Sequence, residues 1–291
     1  MGSSTRMSRF KVFAVETAYW KPGENCLSNI VCSIRGKVRD GDFIVISEKA
    51  LSTASRNIVD ENQFSPNWNA RFIAGFWTKI VWGYFLGSLC RFRKDMIQNL
   101  REYPPDLGSH HKQVALQHAG LLQALLFGSE GGIDGSNLAY SFVSLPLENA
   151  CEVARKIREE IRKKLGANTC VIIADTDKTY SVRSFHFTPR PTRVKGIHSF
   201  GGVFTYVLGR MLKLARRATP VGIAGCQLDA ENALRIANMA NHVRGSGAGR
   251  TVWEMAQRFK VAPDKVTWEM LETVKHKPIV VVRSKKGEKA A

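Results

Sequence analysis

Two short segments carry residues able to do chemistry. Gly131-Gly132-Ile133-Asp134-Gly135-Ser136-Asn137 sets a carboxylate and an amide among small residues, which let the backbone come close to a ligand. Val171-Ile172-Ile173-Ala174-Asp175-Thr176 is a four-residue apolar run followed by a carboxylate. It predicts a buried strand with Asp175 where the strand emerges. In a chain of formal net charge +18, two carboxylates held this way point to a hard divalent ion, magnesium or manganese, together with phosphate. The plain alternative is a pair of turn aspartates, because Asp-Gly is a common turn dipeptide.

The elements that must position these segments follow from periodicity and punctuation. Residues 10–60 read as strand, turn, helix, strand. Lys21-Pro22-Gly23-Glu24 is a turn, Cys26 to Ile34 an amphipathic helix and Asp40-Gly41-Asp42 a second turn. Phe43 to Ser47 is then a buried strand that delivers Ser47, Glu48 and Lys49 to a surface. Residues 66–102 read as an apolar helix with a basic continuation, broken at Tyr103 to Gly108, and His110-His111 opens a helical run to Phe127. Leu145-Pro146 marks a helix start and Gly166 its end. After the apolar strand, Thr179 to Phe200 reads as irregular and basic, and Val221 to Gly225 as a short strand or turn. Asp229 caps a helix through Val243, stopped by Gly245; helices follow over Thr251 to Phe259 and from Pro263 to Val274, with a closing strand from Pro278 to Arg283. Residues 1–9, disordered or tag-derived, and 284–291, a charged disordered tail, flank a single domain over 10–283. Strands and helices without regular βαβ punctuation predict an α+β fold with a mixed sheet. No P-loop is present, and Gly245 to Gly249 spells GxGxG after a helix, which is not the dinucleotide fingerprint.

Composition narrows the classes. With 44% hydrophobic residues in 291, the chain can build a full core. Six scattered cysteines without CxxC spacing read as reduced core thiols in a cytoplasmic protein, and the polar start MGSSTRMSRF has no apolar leader core. Phe72 to Cys90 carries one charge, Lys79, and is followed by basic residues. It reads as a buried helix or an oligomer contact, with a membrane-surface contact or a single span as alternatives. Lys and Arg number 43 against 25 Asp and Glu, a balance that favours polyanions, nucleic acid and acidic membrane faces included. No zinc-finger spacing, RNP motif or heptad-linked basic region accompanies it. Many of the basic residues sit beside acids, as over Cys151 to Lys164, the pattern of a solvated helix face.

Taken in order, the pieces resemble the coenzyme F420-0:gamma-glutamyl ligase family. The resemblance rests on Lys21-Pro22-Gly23-Glu24; on Asp40-Gly41-Asp42 with Ser47-Glu48-Lys49 and Ser52; on Gly132 to Asn137; on Leu145-Pro146; on Ala154-Arg155-Lys156-Ile157-Arg158; on Ala174-Asp175-Thr176; on Leu208-Gly209-Arg210; and on Pro278 to Arg283. It covers about two thirds of the chain in collinear order. It implies an intertwined homodimer and GTP-dependent amide formation, in which a substrate carboxylate is phosphorylated and the amine of glutamate displaces phosphate. In that picture Asp134, Asp175 and Thr176 hold a divalent ion, magnesium or manganese. Lys49 neutralises phosphate, and Thr17, Ser47, Lys49, Asn137, Gly245, Ser246 and Gly247 surround the nucleotide. Lys49 also reads as a solvated lysine after a strand.

Departures from the family pattern are specific. Where the family continues Phe-Gly-Arg-Pro after its Asp-Thr, this chain has Asp177-Lys178-Thr179-Tyr180, and Arg183, Arg190 and Arg193 read as a solvated loop or as contacts to an anionic substrate. The family's Arg-His-Gly run before the Gly-rich segment is absent, and the apolar helix within 66–102 and the helical segment 246–277 read as insertions. The late segment Arg244-Gly245-Ser246-Gly247 offers no carboxylate, and Glu231, the nearest acid, reads as a first-turn helix residue rather than a ligand. The expected partners are an F420-0-like anion and glutamate. The competing readings are a diverged ligase acting on another carboxylate, and a basic protein that binds RNA, DNA or a membrane surface without ligation.

Overall fold

The computed structural model describes residues 10–128 and 130–285. Its strands are β1 (Phe10–Thr17), β2 (Phe43–Ser47), β3 (Ile58–Asp60), β4 (Phe142–Ser144), β5 (Cys170–Val182), β6 (Phe185–Thr188), β7 (Ile197–Ser199), β8 (Ala215–Ala224) and β9 (His276–Ser284). The helices used below are α1 (Cys26–Ile34), α2 (Glu48–Ala54), α3 (Trp68–Phe72), α4 (Lys94–Arg101), α5 (Pro105–His118), α6 (Leu121–Ala124), α7 (Ala150–Leu165), α8 (Val203–Met211) and α9 (Ala230–Arg244), followed by α10 (Val252–Phe259) and α11 (Trp268–Glu272).

Seven strands form one mixed sheet in the order β1-β9-β2-β5-β6-β7, with β8 on β5 and β3-β4 as a separate pair. The parallel β2–β5 pair is its centre. Val171 and Ile173 join the core containing Ile30, Ile34, Ile157 and Ile161 from α1 and α7. Ile172 and Ala174 join the core containing Ile236, Ala237 and Ala240 from α9. A strand covered on both faces needs no polar alternation, which is why the apolar run is continuous. The fold is therefore a mixed sheet between helical layers, as the sequence predicts.

β2 stops at Ser47, opposite Ala174, while β5 continues past it along β8. The vacated edge of β5 is taken by β6 from Tyr180 onward. About half of the expected irregular stretch Thr179 to Phe200, the end of β5 with β6 and β7, is thus strand. Its pairing with β8, distant in the sequence, supplies hydrogen bonds that no local pattern announces. The same pairing sets Val171 opposite Ala224, and just beyond them Cys170 and Cys226 form a disulfide with Cα atoms 5.5 Å apart. This corrects the reading of all six cysteines as reduced. Residues 1–9 and 286–291, most of the expected disordered ends, lie outside the described residues.

The helical half packs beside this sheet. α3 runs on through Ile73–Leu86 in wide turns, with the Gly87 N–H bonded to the Trp82 carbonyl five residues back. That winding keeps residues four to five apart on one side: Ala74, Thr78, Trp82 and Gly87 are buried, and Phe72, Phe76, Phe85 and Leu89 are exposed. Trp77 and Trp82 donate their indole N–H groups to the Leu125 carbonyl at 2.9 and 2.8 Å. The segment is therefore a half-buried helix. Among the described residues no helix is long and apolar enough to cross a membrane. The second helical run begins at Pro105 rather than His110 and breaks at Gly120, whose φ of +83° turns the chain between α5 and α6.

Candidate functional site

The end of the β2–β5 pair is where the chemistry-bearing segments meet. Parallel strands leave their carboxyl ends open to a crevice, and here Ser47 and Asp175 stand at that end. α2 follows β2 without a loop, so Glu48 and Lys49 are placed rigidly. The Lys49 ammonium donates to the Asp134 carboxylate, to the Ser136 carbonyl at 2.8 Å and to Ser136 Oγ at 2.7 Å. Asp134 Oδ1 accepts from the Ser136 N–H at 2.7 Å, and a short bridge to Ser144 fixes its backbone.

Asp175 is held by a different cation. Its Oδ1 accepts from the Thr176 N–H at 2.7 Å, and its Oδ2 accepts from Arg190. Arg190 is 2% exposed and also forks onto Glu48, with contacts of 2.8 and 3.1 Å. Burial alone would raise the Asp175 pKa, but Arg190 and then Lys49 outweigh it and hold the carboxyl below its ordinary value. Glu48 goes the other way: burial and the neighbouring Asp175 charge push it up despite Arg190. Gly132 packs directly on the guanidinium, since a Cβ there would lie 2.7 Å from Arg190 Nη2. Arg190 is therefore a buried structural cation, not the solvated loop residue the sequence favours. Its pair Arg190-Pro191 appears only after the β5–β6 hairpin, which separates it from Asp175-Thr176. Arg183 and Arg193 are exposed.

Asn137, at φ +60°, ties two loops together. Its Oδ1 accepts from the Ala248 N–H at 2.5 Å and its Nδ2 donates to the Gly249 carbonyl at 2.8 Å. The Asn137 carbonyl accepts from the Tyr19 hydroxyl at 2.6 Å. Both ends of the Asn137 amide are thus bonded to the segment Gly245 to Gly249, which they hold beside Asp134.

A cavity of about 720 Å³ opens over these groups, and Ser47, Lys49, Asp134, Asn137, Asp175, Thr176, Gly245, Ser246 and Gly247 all line it. Thr17 does not. A register shift in β1 accompanies a side chain turned to the Ala18 carbonyl (2.7 Å) and His276 Nδ1 (3.1 Å). Six cationic side chains face the cavity, Lys49, Lys178, Arg244, Arg250, Lys275 and Lys277, against the carboxylates Asp134 and Asp175. Such a surplus focuses anions into the crevice. Glu231 is not part of it: the side chain is about half exposed and pairs with Arg217 at 2.7 Å. Glu48 and Arg190 beside Asp175, and Lys178 and Arg244 on the cavity wall, are neighbours of the site that motif reasoning did not assign, because tertiary packing rather than sequence spacing brings them there.

Among the described residues, no group of three or more His, Cys, Asp or Glu is placed to hold a metal ion. Two carboxylates and the Thr176 hydroxyl on one cavity match a different requirement. Magnesium commonly takes one or two protein carboxylates and completes its shell with water and phosphate. The donors present fit an ion that arrives with a phosphate ligand.

Fold and site define an α/β protein with a cation-lined crevice at the carboxyl ends of parallel strands. The family model described as F420-0:Gamma-glutamyl ligase matches residues 14–283. An uncharacterized protein of Methanocaldococcus jannaschii is 36% identical over 291 residues, covering 96% of this chain and 98% of its own length. The chain belongs to the F420-0:gamma-glutamyl ligase family, a family of ligase enzymes.

Proposed function

We propose that the protein is a GTP- and divalent-metal-dependent amide ligase that joins an F420-0-like acid to glutamate through an acyl phosphate. The observation that supports this most is that Asp134 and Asp175, from segments remote in the sequence, open onto one cavity whose other charged walls are cationic. Asp134, Asp175 and Thr176 would hold magnesium or manganese, which supplies charge neutralisation on phosphate oxygens. Lys49 acts on both carboxylates: it donates to Asp134 and, after Arg190, lowers the pKa of Asp175. Facing a triphosphate, it stabilises the charge that builds as the acid oxygen attacks the terminal phosphorus and GDP leaves. The glutamate amine then attacks the acyl carbon, phosphate departs with the bonding pair, and the amine gives up a proton. Ser246 and Gly247, next to the loop that Asn137 braces, offer backbone N–H groups to phosphate, and Gly245 turns the chain off α9 beside them.

A homodimer is part of this reading. Phe85, Leu89, Phe204 and Leu208 leave apolar surface uncovered on the long helix and α8, which a second copy would bury. The cytoplasm, where GTP and glutamate are available, is the proposed location. An acid other than F420-0 is the second reading, supported by the β5–β6 hairpin that follows Asp175-Thr176 directly. Concentration of cations in a concave crevice favours a small anion over nucleic acid. Mass spectrometry of the product from F420-0, glutamate, GTP and magnesium tests the proposal: a glutamate mass increment that depends on GTP is expected. GTP hydrolysis without that increment points to another acid, and no GTP turnover with any acid refutes it.

A further inference from the structure

Three of the cavity's cations, Lys178, Arg244 and Lys277, form no ion pair among the described residues, and the first two share one wall. Between Asp175 and Lys178, β5 advances three residues while β8 advances one, from Thr219 to Ala218. This two-residue bulge exposes Thr176 and leaves Lys178 opposite Ala218. Ala218 packs in the same core as Ala240 of α9, and Arg244 lies one helical turn beyond Ala240 on that face. Strand register and helix periodicity therefore bring the Lys178 and Arg244 side chains to one wall of the cavity, which both line.

Their bonding is incomplete. Arg244 donates to Asn241 Oδ1 at 3.0 Å. Among the described residues, no carboxylate stands within 4.0 Å of either cationic group. Both groups are partly buried; Asp177 and Asp175 are the opposite charges that act on Lys178, and Asp175 is the one that acts on Arg244. Lys49 and Arg190, by contrast, are each neutralised by a carboxylate. Two like charges that are partly desolvated and unpaired are costly unless an anion joins them.

We propose that Lys178 and Arg244 form an oxyanion subsite, separate from the Lys49–Asp134 pair, that takes a carboxylate or phosphate group of the ligand. The subsite rests on the ligase reading only for the choice of ligand. Arg244 supplies a planar fork and Lys178 a compact charge, a combination suited to two oxygens of one group.

Calorimetric titration at low ionic strength with inorganic phosphate, GTP and L-glutamate, each with magnesium, tests it. Lys178→Met and Arg244→Met are each expected to weaken binding of the ligand that uses the subsite by about 10-fold, the scale of one charge-assisted contact. Lys178→Arg should retain most of the affinity, and Arg183→Met, on the exposed hairpin turn, should change nothing. The double variant should lose less than the product of the single losses, because both groups hold one anion. Weakened phosphate and GTP binding assigns the subsite to phosphate, and weakened glutamate binding assigns it to a carboxylate; either result upholds it. Unchanged affinities in both folded variants overturn the subsite while the ligase reading stands. A wild-type protein that binds none of the three overturns both. Should Lys178→Met fail to fold, Arg244→Met at the half-buried end of α9 carries the same test.

Discussion

Two clusters of buried charge lie on either side of the Gly-rich segment, and they are built differently. In the first, His111 bridges Glu61 and Glu130, with 2.9 Å to Glu130, and Lys112 joins Glu130 at 2.5 Å and the Leu126 carbonyl at 2.6 Å. Lys112 is 0% and Glu130 2% exposed, so the charges are satisfied among themselves and away from the cavity. In the second, Lys49, Asp134, Asp175, Glu48 and Arg190 are also paired, yet Lys49, Asp134 and Asp175 open onto a cavity that holds further unpaired cations. A closed cluster fixes the loop that starts at Glu130. An open one has capacity left for a ligand. The distinction separates scaffold from site better than burial or pKa does, since both clusters contain strongly shifted groups.

The contrast can be broken most forcefully at the open cluster. Asp134→Ala and Asp175→Ala should each lower GTP-dependent turnover by roughly 10³-fold, as expected when charge stabilisation of a transferring phosphoryl group is removed. Near-normal steady-state rates in either variant would break it.

The closed cluster should respond in stability instead. Glu130→Gln leaves Lys112 buried without its counter-charge, and urea denaturation should show a loss of about 3–5 kcal/mol. Asp134→Asn should cost no more than about 1–2 kcal/mol, because Lys49 keeps its Ser136 bonds and some solvent contact. Equal losses would erase the difference between the clusters.

The pH dependence of stability sharpens the comparison further. Burial alone would lower the His111 pKa, but Glu130 and Glu61 raise it from 6.5 to about 10. Its folded value is the higher one, so its contribution is complete below about pH 6.5 and fades as pH rises toward 10. Glu130, lowered from 4.5 to about 2 by Lys112 and His111 against burial, contributes fully above about pH 4.5 and loses its effect as pH falls toward 2. The stability gap between wild type and His111→Gln should therefore narrow between pH 6.5 and 10. A gap that widens on the alkaline side contradicts the assigned charges. Smallest of all, Arg155→Ala on the exposed face of α7, paired to Glu159 at 3.0 Å, should shift stability by no more than about 0.5 kcal/mol.

Local signals in the sequence predicted much of this. α1 runs from Cys26 to Ile34 as the turn and amphipathic pattern require, Gly166 ends α7 at φ +70°, and Asp229 caps α9 through the Asn232 N–H. Thr251 and Thr267 each accept from the third following N–H and so open α10 and α11. Asp175 stands where the apolar run implied. What stayed hidden depends on distant partners. The β5 extension needs β8, the Cys170–Cys226 bond needs their shared ladder, and Arg190 is buried because Glu48 and Asp175 await it across three separate segments. Asn137 was legible as a polar residue of the Gly-rich segment, while its engagement by the Ala248–Gly249 backbone required the fold of a loop more than a hundred residues away.

The central claim is that Asp134 and Asp175 act on one ion beside one nucleotide. Calorimetric titration of GTP in the presence and absence of manganese, for wild type, Asp134→Asn and Asp175→Asn, addresses it directly. Manganese should tighten GTP binding to the wild type, and that enhancement should vanish in both variants. An enhancement that persists undiminished in either variant contradicts the account.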